Sequence, residues 1–213
     1  MTVHRVTDAT PRRVPAQARS RRRVEQILDQ AAQLVVSQGV EALSTRDIAA
    51  AAKVPVASLY QYFSDKEDVL LALAARDMAE MDDQVAADLA DLESLTVRDL
   101  VRTAMLAFVK VYHRRRAFVE IYLRGRTNVA VDRFGRDHNA RIAETLRAFA
   151  IESGLATDAL TQTVTGLAVE IGDRIFQLAF EHEAEGDAVI IEEGIAMMTA
   201  YLERYATPQG LGR

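Results

Sequence analysis

Apolar residues recur at helical spacing along nearly the whole chain, and the breaks between runs fall at capping or chain-turning residues. Val24, Ile27, Leu28, Ala31, Leu34 and Val35 form one stripe, which predicts a helix from near Arg21 to a terminating Gly39. Ser44, three residues before Asp47, reads as a capping box, so a second helix starts near Thr45 and carries Ile48, Ala49 and Ala52 on its period. It stops at Lys53-Val54-Pro55, because proline disfavours the α conformation in the residue before it. A brief helix can begin at Pro55. Ser64 and Glu67 form a second capping box, opening a long helix through Leu70, Leu73, Met78 and Met81 to about Leu92. Helices are then expected near 97–114, 116–124, 129–153, 158–182 and 187–205, separated by Thr96, Asn128, Gly154 and Gly186. No internal repeat or low-complexity segment interrupts them, and the fold class is all-α.

Two short helices, a tight turn and a capped third helix describe a helix-turn-helix unit. Within the short helix Val54, Leu59 and Phe63 are inward candidates, while Val56, Ala57, Ser58, Tyr60 and Gln61 can face out, as residues entering a major groove must. The alternative is a plain helical hairpin in an α-helical core. Thr45 and Arg46 open the second helix, whose amide end favours phosphate, and the guanidinium fork of Arg46 suits guanine O6 and N7. Ser58, Tyr60, Tyr62 and Lys66 suit phosphate contact. Val56 and Ala57 donate no hydrogen bond and would meet thymine methyl groups.

The run TRDIAAAAKVPVASLYQYFSDKEDVL, from Thr45 to Leu70, resembles the TetR family of bacterial transcriptional regulators. Beyond Leu70 the resemblance is one of length and helical layout. It implies an N-terminal three-helix DNA-binding domain at 20–66 and a C-terminal helical ligand-binding and dimerisation domain at 67–213. It also implies DNA contact at Thr45, Arg46, Val56, Ala57, Tyr60, Tyr62 and Lys66. Two positions depart from the family pattern. Lys53 stands where glycine is usual in the turn, and a left-handed conformation there would cost roughly 1 kcal/mol. Pro55 stands where serine often caps the reading helix and offers no capping oxygen.

Composition agrees with a small reading domain beside a larger one: 213 residues, 49% hydrophobic, with only 10 glycines and 4 prolines. Without cysteine there are no disulfides, thiol sensors or thiolate metal sites. No apolar run reaches membrane-spanning length and the basic start lacks a signal-peptide core, so a cytoplasmic protein without membrane contact is expected. The net charge of −5 divides unevenly, with ten Lys or Arg against eight Asp or Glu in residues 1–70 and 16 against 23 in the rest. Residues 1–19 read as a disordered basic arm, in which Arg5, Arg12, Arg13 and Arg19 could follow DNA or merely aid solubility.

The helix at 158–182 shows two apolar stripes, Val164, Leu167, Ala168, Ile171, Ile175 and Leu178 on one face and Val169, Gly172, Phe176 and Phe180 on another. The last helix is similarly broad. Two partners are implied: Val169, Phe176, Phe180, Gly194, Met197 and Tyr201 are expected at a homodimer interface, the pairing that the resemblance also implies. A monomer with both stripes internal is the alternative. Candidate cavity-lining residues are Met78, Met105, Phe108, Tyr112 and Tyr122, with Glu120, His138, Glu170 and Asp173 as polar groups that would orient a small, largely apolar ligand. Each acid could equally pair with Arg124, Arg141 or Arg174. Enzyme chemistry fares poorly: there is no nucleophile elbow, phosphate loop or H-E-x-x-H, and the four histidines lie in separate segments. No cofactor or metal is expected. The sequence thus points to a ligand-responsive regulator, a repressor released from palindromic operator DNA, with a DNA-architectural protein lacking a sensor as the alternative.

Overall fold

The computed structural model describes residues 16–92, 95–125 and 129–213, and among them the fold is helical, with one isolated bridge between Ala156 and Ala206. Helix α1 spans Ala16–Gln38, α2 Thr45–Ala51, α3 Val56–Leu59 and α4 Lys66–Ala90. Helix α1 begins some five residues before the expected start, since Ala16, Gln17 and Arg19 are all good helix formers. Arg19 therefore belongs to α1, whereas Arg5, Arg12 and Arg13 of the expected arm lie outside the described residues.

Ile27, Ala31 and Val35 of α1 pack with Ile48, Ala49 and Leu59 of α2 and α3, and with Val69, Leu70 and Leu73 of α4, all essentially without solvent exposure. Ser44 caps α2 by accepting from the Asp47 amide at 3.2 Å. The turn into α3 is left-handed at Lys53, φ 53°, so the conformation that a glycine would ease is kept without one, and Pro55 precedes α3 with no side-chain cap. The cap of α4 lies one residue later than expected. Asp65 accepts from the Asp68 amide at 2.9 Å and Asp68 accepts from the Ser64 amide at 2.9 Å, leaving Glu67 out of the box.

Helix α5, Val97–Arg114, opens with a reciprocal Thr96–Asp99 box and breaks at Arg115. The expected helix over 116–124 is two pieces: α6, Arg116–Phe118, and a wider π-helical turn, Val119–Arg124. Gly125 allows it, because a Cβ there would stand 2.5 Å from the Glu120 carbonyl oxygen. Helices α7 (Val129–Glu152), α8 (Gln162–Ala179) and α9 (Ala188–Leu202) complete the second bundle. Asn128, an expected separator, lies outside the described residues. Helix α8 is shorter than the expected 158–182, since Thr161 caps its start and Gly186, φ +79°, turns the chain back with the Asp187 amide on the Ala179 carbonyl at 2.8 Å.

Helix α4 belongs to both bundles. Its first turns fill the α1–α3 core, and farther along Met78 and Met81 are buried in the second. An ion-pair chain follows the same path: Arg76 reaches Asp29 of α1 at 2.8 Å and Asp77 at 3.1 Å, Arg115 stands 3.6 Å from Asp77, and Arg115 and Arg114 bind Glu80 at 2.5 and 2.9 Å.

Candidate functional site

The outer surface of α2 and α3 gathers most of the expected DNA-contacting residues on one face. Arg46, Val56, Ala57, Tyr60 and Gln61 are exposed, and behind them Leu59 and Phe63 are buried. Thr45 is half-buried at the start of α2, with its hydroxyl 3.1 Å from that of Tyr60, so the two helices are bonded across the turn. Val56 at 37% and Tyr60 at 52% exposure leave apolar and aromatic surface in water, as a contact face does. Ser58, Tyr62 and Lys66 are half-buried at its rim, and the Lys66 ammonium donates to the Val40 carbonyl at 3.5 Å. Gln26 was not singled out by the sequence. Its amide donates to the Ala52 carbonyl at 2.8 Å and ties α1 to the end of α2.

In the second bundle α5, α7, α8 and α9 line an apolar cavity of about 110 Å³. Of the residues expected to line it, Met105, Phe108, Tyr112 and Asp173 do. Tyr122 and Glu170 line a polar recess that adjoins it, the two spaces sharing Asn139 and Asp173. Three expected residues lie elsewhere. Met78 is buried in the packing of α4, Glu120 holds Arg124 one turn along at 2.6 Å, and the buried His138 ring meets Asp82 of α4 at 2.9 Å. Each has a partner that removes it from the cavity wall. The sequence reading missed Asn139, which continues the buried spacing of Ile142 and Leu146, and the whole end formed by Val97, Leu100, Ala156 and Leu202.

Tyr122 governs the polar end of the cavity. Its hydroxyl bonds to Asp173, with Asn139 beside it, and burial followed by the Asp173 charge pushes its ionisation far above the ordinary tyrosine range. Burial does the same to Tyr112. Both rings thus favour the neutral form, and Tyr122 donates to Asp173. Tyr112 packs edge-on against Phe176 and Phe180 at 5.2 Å centroid separation, and Phe118 stacks on Tyr122 at 5.1 Å. Gly135 of α7 makes room for the Tyr122 ring, since a Cβ there would lie 2.3 Å from its Cε2.

This aromatic cluster corrects the expected dimer residues. Phe176 and Phe180 belong to their own core, Val169 walls the cavity, and Gly194 admits Ile175 so closely that a Cβ would meet it at 2.5 Å. Of the other stripe of α8, Leu167 at 50% exposure, Ile171 and Leu178 face outward, while its Ala168 and Ile175 are buried. On α9 Met197 is 61% exposed and Tyr201 half-buried, so those two expectations stay on the free face. Among the described residues no three His, Cys, Asp or Glu side chains gather as metal ligands, and no helix is long and apolar enough to cross a membrane.

Residues 27–73 match the bacterial regulatory proteins of the tetR family, and residues 96–202 match the tetracyclin repressor-like C-terminal domain. A TetR-family transcriptional regulator from Streptomyces coelicolor is 31% identical with a TM-score of 0.64, the match covering 86% of this chain and 99% of that one. The fatty acid degradation regulator FadR from Bacillus halodurans shares the fold at 17% identity and TM-score 0.67, covering 83% and 94%. A transcriptional regulator from a Rhodococcus species does so at 18% and 0.62, covering 86% and 97%. No curated protein matches the chain.

Substituting Gly135→Ala is expected to displace the Tyr122 ring and break its bond to Asp173. In an ultraviolet titration of the native protein Tyr112 and Tyr122 should stay protonated while exposed tyrosines ionise. In the variant one further tyrosine should titrate near the ordinary value of 10.0. An unchanged number of titrating tyrosines would show that the ring is held by something other than the space at Gly135.

Proposed function

Since the chain belongs to the TetR family of bacterial regulatory proteins, we propose that it is a repressor that grips a palindromic operator as a homodimer and is released when a small, largely apolar molecule fills the cavity. The observation that carries this reading is the double membership of α4, which packs in the core behind the reading face and reaches the ion pairs at Arg115, next to the segment that bears Tyr122. In this reading Arg46 grips a guanine, Val56 and Ala57 meet thymine methyl groups, and Thr45, Ser58, Tyr60, Gln61 and Tyr62 hold backbone and groove edges. Lys66 contributes charge near phosphate. Residues 20–66 form the reading domain, residues 67–213 the sensing and pairing domain, and the first 19 residues supply arginines to the DNA.

Two reading helices fit adjacent major grooves only when held about 34–36 Å apart, so pairing is part of the function. The free stripe Leu167, Ile171 and Leu178, with Met197 and Tyr201 of α9, is the surface that a twofold mate would cover.

Arg46→Ala should lose about 1–3 kcal/mol and relax preference at one base pair of each half-site, whereas Lys66→Ala should weaken all sequences alike. Affinities over an operator panel check this, and equal, sequence-independent losses would remove Arg46 from base reading. Leu167→Asp with Met197→Glu should give monomers by sedimentation and weaker operator binding, because each charge would be buried without a partner. A stable dimer carrying both would move the interface elsewhere. The mechanism itself requires reciprocity. A compound recovered from the native protein by mass spectrometry should bind more weakly to the operator complex, by the factor with which it weakens operator binding, for a coupling of about 1–3 kcal/mol. Identical affinities with and without operator would mean that this compound is no inducer.

A further inference from the structure

More than half of the large apolar side chains left exposed among the described residues lie on the last two helices, Leu167, Ile171 and Leu178 on α8 with Val189 and Met197 on α9. A charge sits inside each stripe. Arg174 follows Leu167 by seven residues and Ile171 by three and precedes Leu178 by four, spacings that put all four on one face of α8. Glu193 stands four residues after Val189 and four before Met197, and divides the α9 stripe in the same way. Both side chains are exposed.

Among the described residues neither has a counter-ion in its own protomer. The Arg174 guanidinium donates to the Gln177 amide oxygen at 3.2 Å. Glu170, one turn before it, has the spacing to pair with it along the helix, yet accepts the Asn139 amide at 3.3 Å instead. On α9 the neighbouring Glu192 is already held by Arg102 at 2.7 Å, which leaves Glu193 as the unpaired carboxylate of the outward stripe. A mate that covers these stripes takes both charges out of water, and a buried charge without a partner is strongly destabilising. Twofold symmetry then decides which helix meets which. Laying α8 on its own copy sets an Arg174 stripe against an Arg174 stripe, and laying α9 on its own copy sets Glu193 against Glu193. Only α8 laid on the other protomer's α9 answers each charge with its opposite.

We propose that α8 of each protomer packs on α9 of the other and that Arg174 forms an ion pair with the partner's Glu193, twice per dimer. This rests on the reading of the α8 and α9 surface as the dimer face. The apolar stripes supply the buried area, while the ion pair fixes the register and restricts pairing to chains with matching charges.

The test uses Arg174→Glu and Glu193→Arg, made separately in the full chain, with assembly read by sedimentation over a dilution series and by native mass spectrometry. Each variant alone sets like charges together at both contacts, so its dimer dissociation constant should rise at least about a hundred-fold, about tenfold per contact. Mixed in equal amounts, the two should form a heterodimer of near wild-type affinity. A chain carrying both changes should pair with itself and not with the wild type. Should a charge reversal fold poorly, Arg174→Gln and Glu193→Gln give the same reading: each alone should weaken the dimer, and the double variant should recover most of the loss. Single reversals that dimerise with wild-type affinity overturn the proposal, and so do reversals that become monomers but fail to assemble on mixing. Preferred heterodimers of Arg174→Glu with the wild type overturn it by setting α8 against α8. Leu167→Asp with Met197→Glu separates the two levels of failure. Monomers there beside an unaffected Arg174→Glu dimer keep the face and overturn the ion pair, whereas dimers throughout, or a monomeric wild type, overturn both.

Discussion

A carboxylate taken almost wholly out of water must be answered by cations, and Asp77, at 1% exposure, is that carboxylate here. Burial raises its pKa, while Arg76 first and Arg115 second pull it back down. Because the raised value prevails, the folded state holds this proton more tightly than the unfolded chain does. The group therefore favours the fold in acid, and that favour lapses as pH climbs through its folded value. At neutral pH the charge is tolerated only because both cations are fixed. Arg76 is fixed from the side of α1 by Asp29, and Arg115 from along α4 by Glu80. The buried charge thereby ties three places together: the first helix of the reading unit, the long α4, and the break where α5 ends.

The short reading helix packs against two of the helices so tied, α1 and α4. Four residues of α3 have little stability of their own, since a single helical turn orders more dihedral angles than it gains hydrogen bonds. Lys53 adds strain in a left-handed conformation and Pro55 leaves the first amides without a side-chain acceptor. What holds α3 is the burial of Leu59 and Phe63 beneath it and the Thr45–Tyr60 hydroxyl contact across the turn. The burial joins α3 to the core shared with α1 and α4, and the hydroxyl contact ties it to α2.

Local signals were legible in the sequence, and long-range ones were not. Helix α5 runs over its expected residues because a box at Thr96 and a break at Arg115 are both local chemistry. The choice between Ser64 and Asp65 as cap of α4 was missed by one residue, since Asp68 serves Ser64 from a position where Glu67 reads equally well. Which apolar stripe of α8 faces inward is set by the rings of Phe108, Tyr112 and Phe118, which periodicity within α8 cannot see. His138 had no local sign of its partner, for Asp82 lies 56 residues away. The reading face was the clearest part, because capping, turn and outward pattern fall within one short run. The cavity was the least clear, as its walls come from four helices.

The segment between Arg115 and Gly125 connects these two levels of legibility. Its first residue answers the buried Asp77, and seven residues later Tyr122 bonds to Asp173 at the polar end of the cavity. Between them the chain changes from α to π hydrogen bonding, a wider turn with a residue inserted relative to a regular helix. Gly125 closes that turn against the Glu120 carbonyl, and Gly135 admits the Tyr122 ring, so both ends are set by contacts too close for any side chain. A displacement of Tyr122 therefore has little slack to absorb it before Arg115. On the reading proposed here, an occupant that alters the Tyr122–Asp173 bond acts on the only pair of cations holding Asp77 in place among the described residues, and through Arg76 on α1.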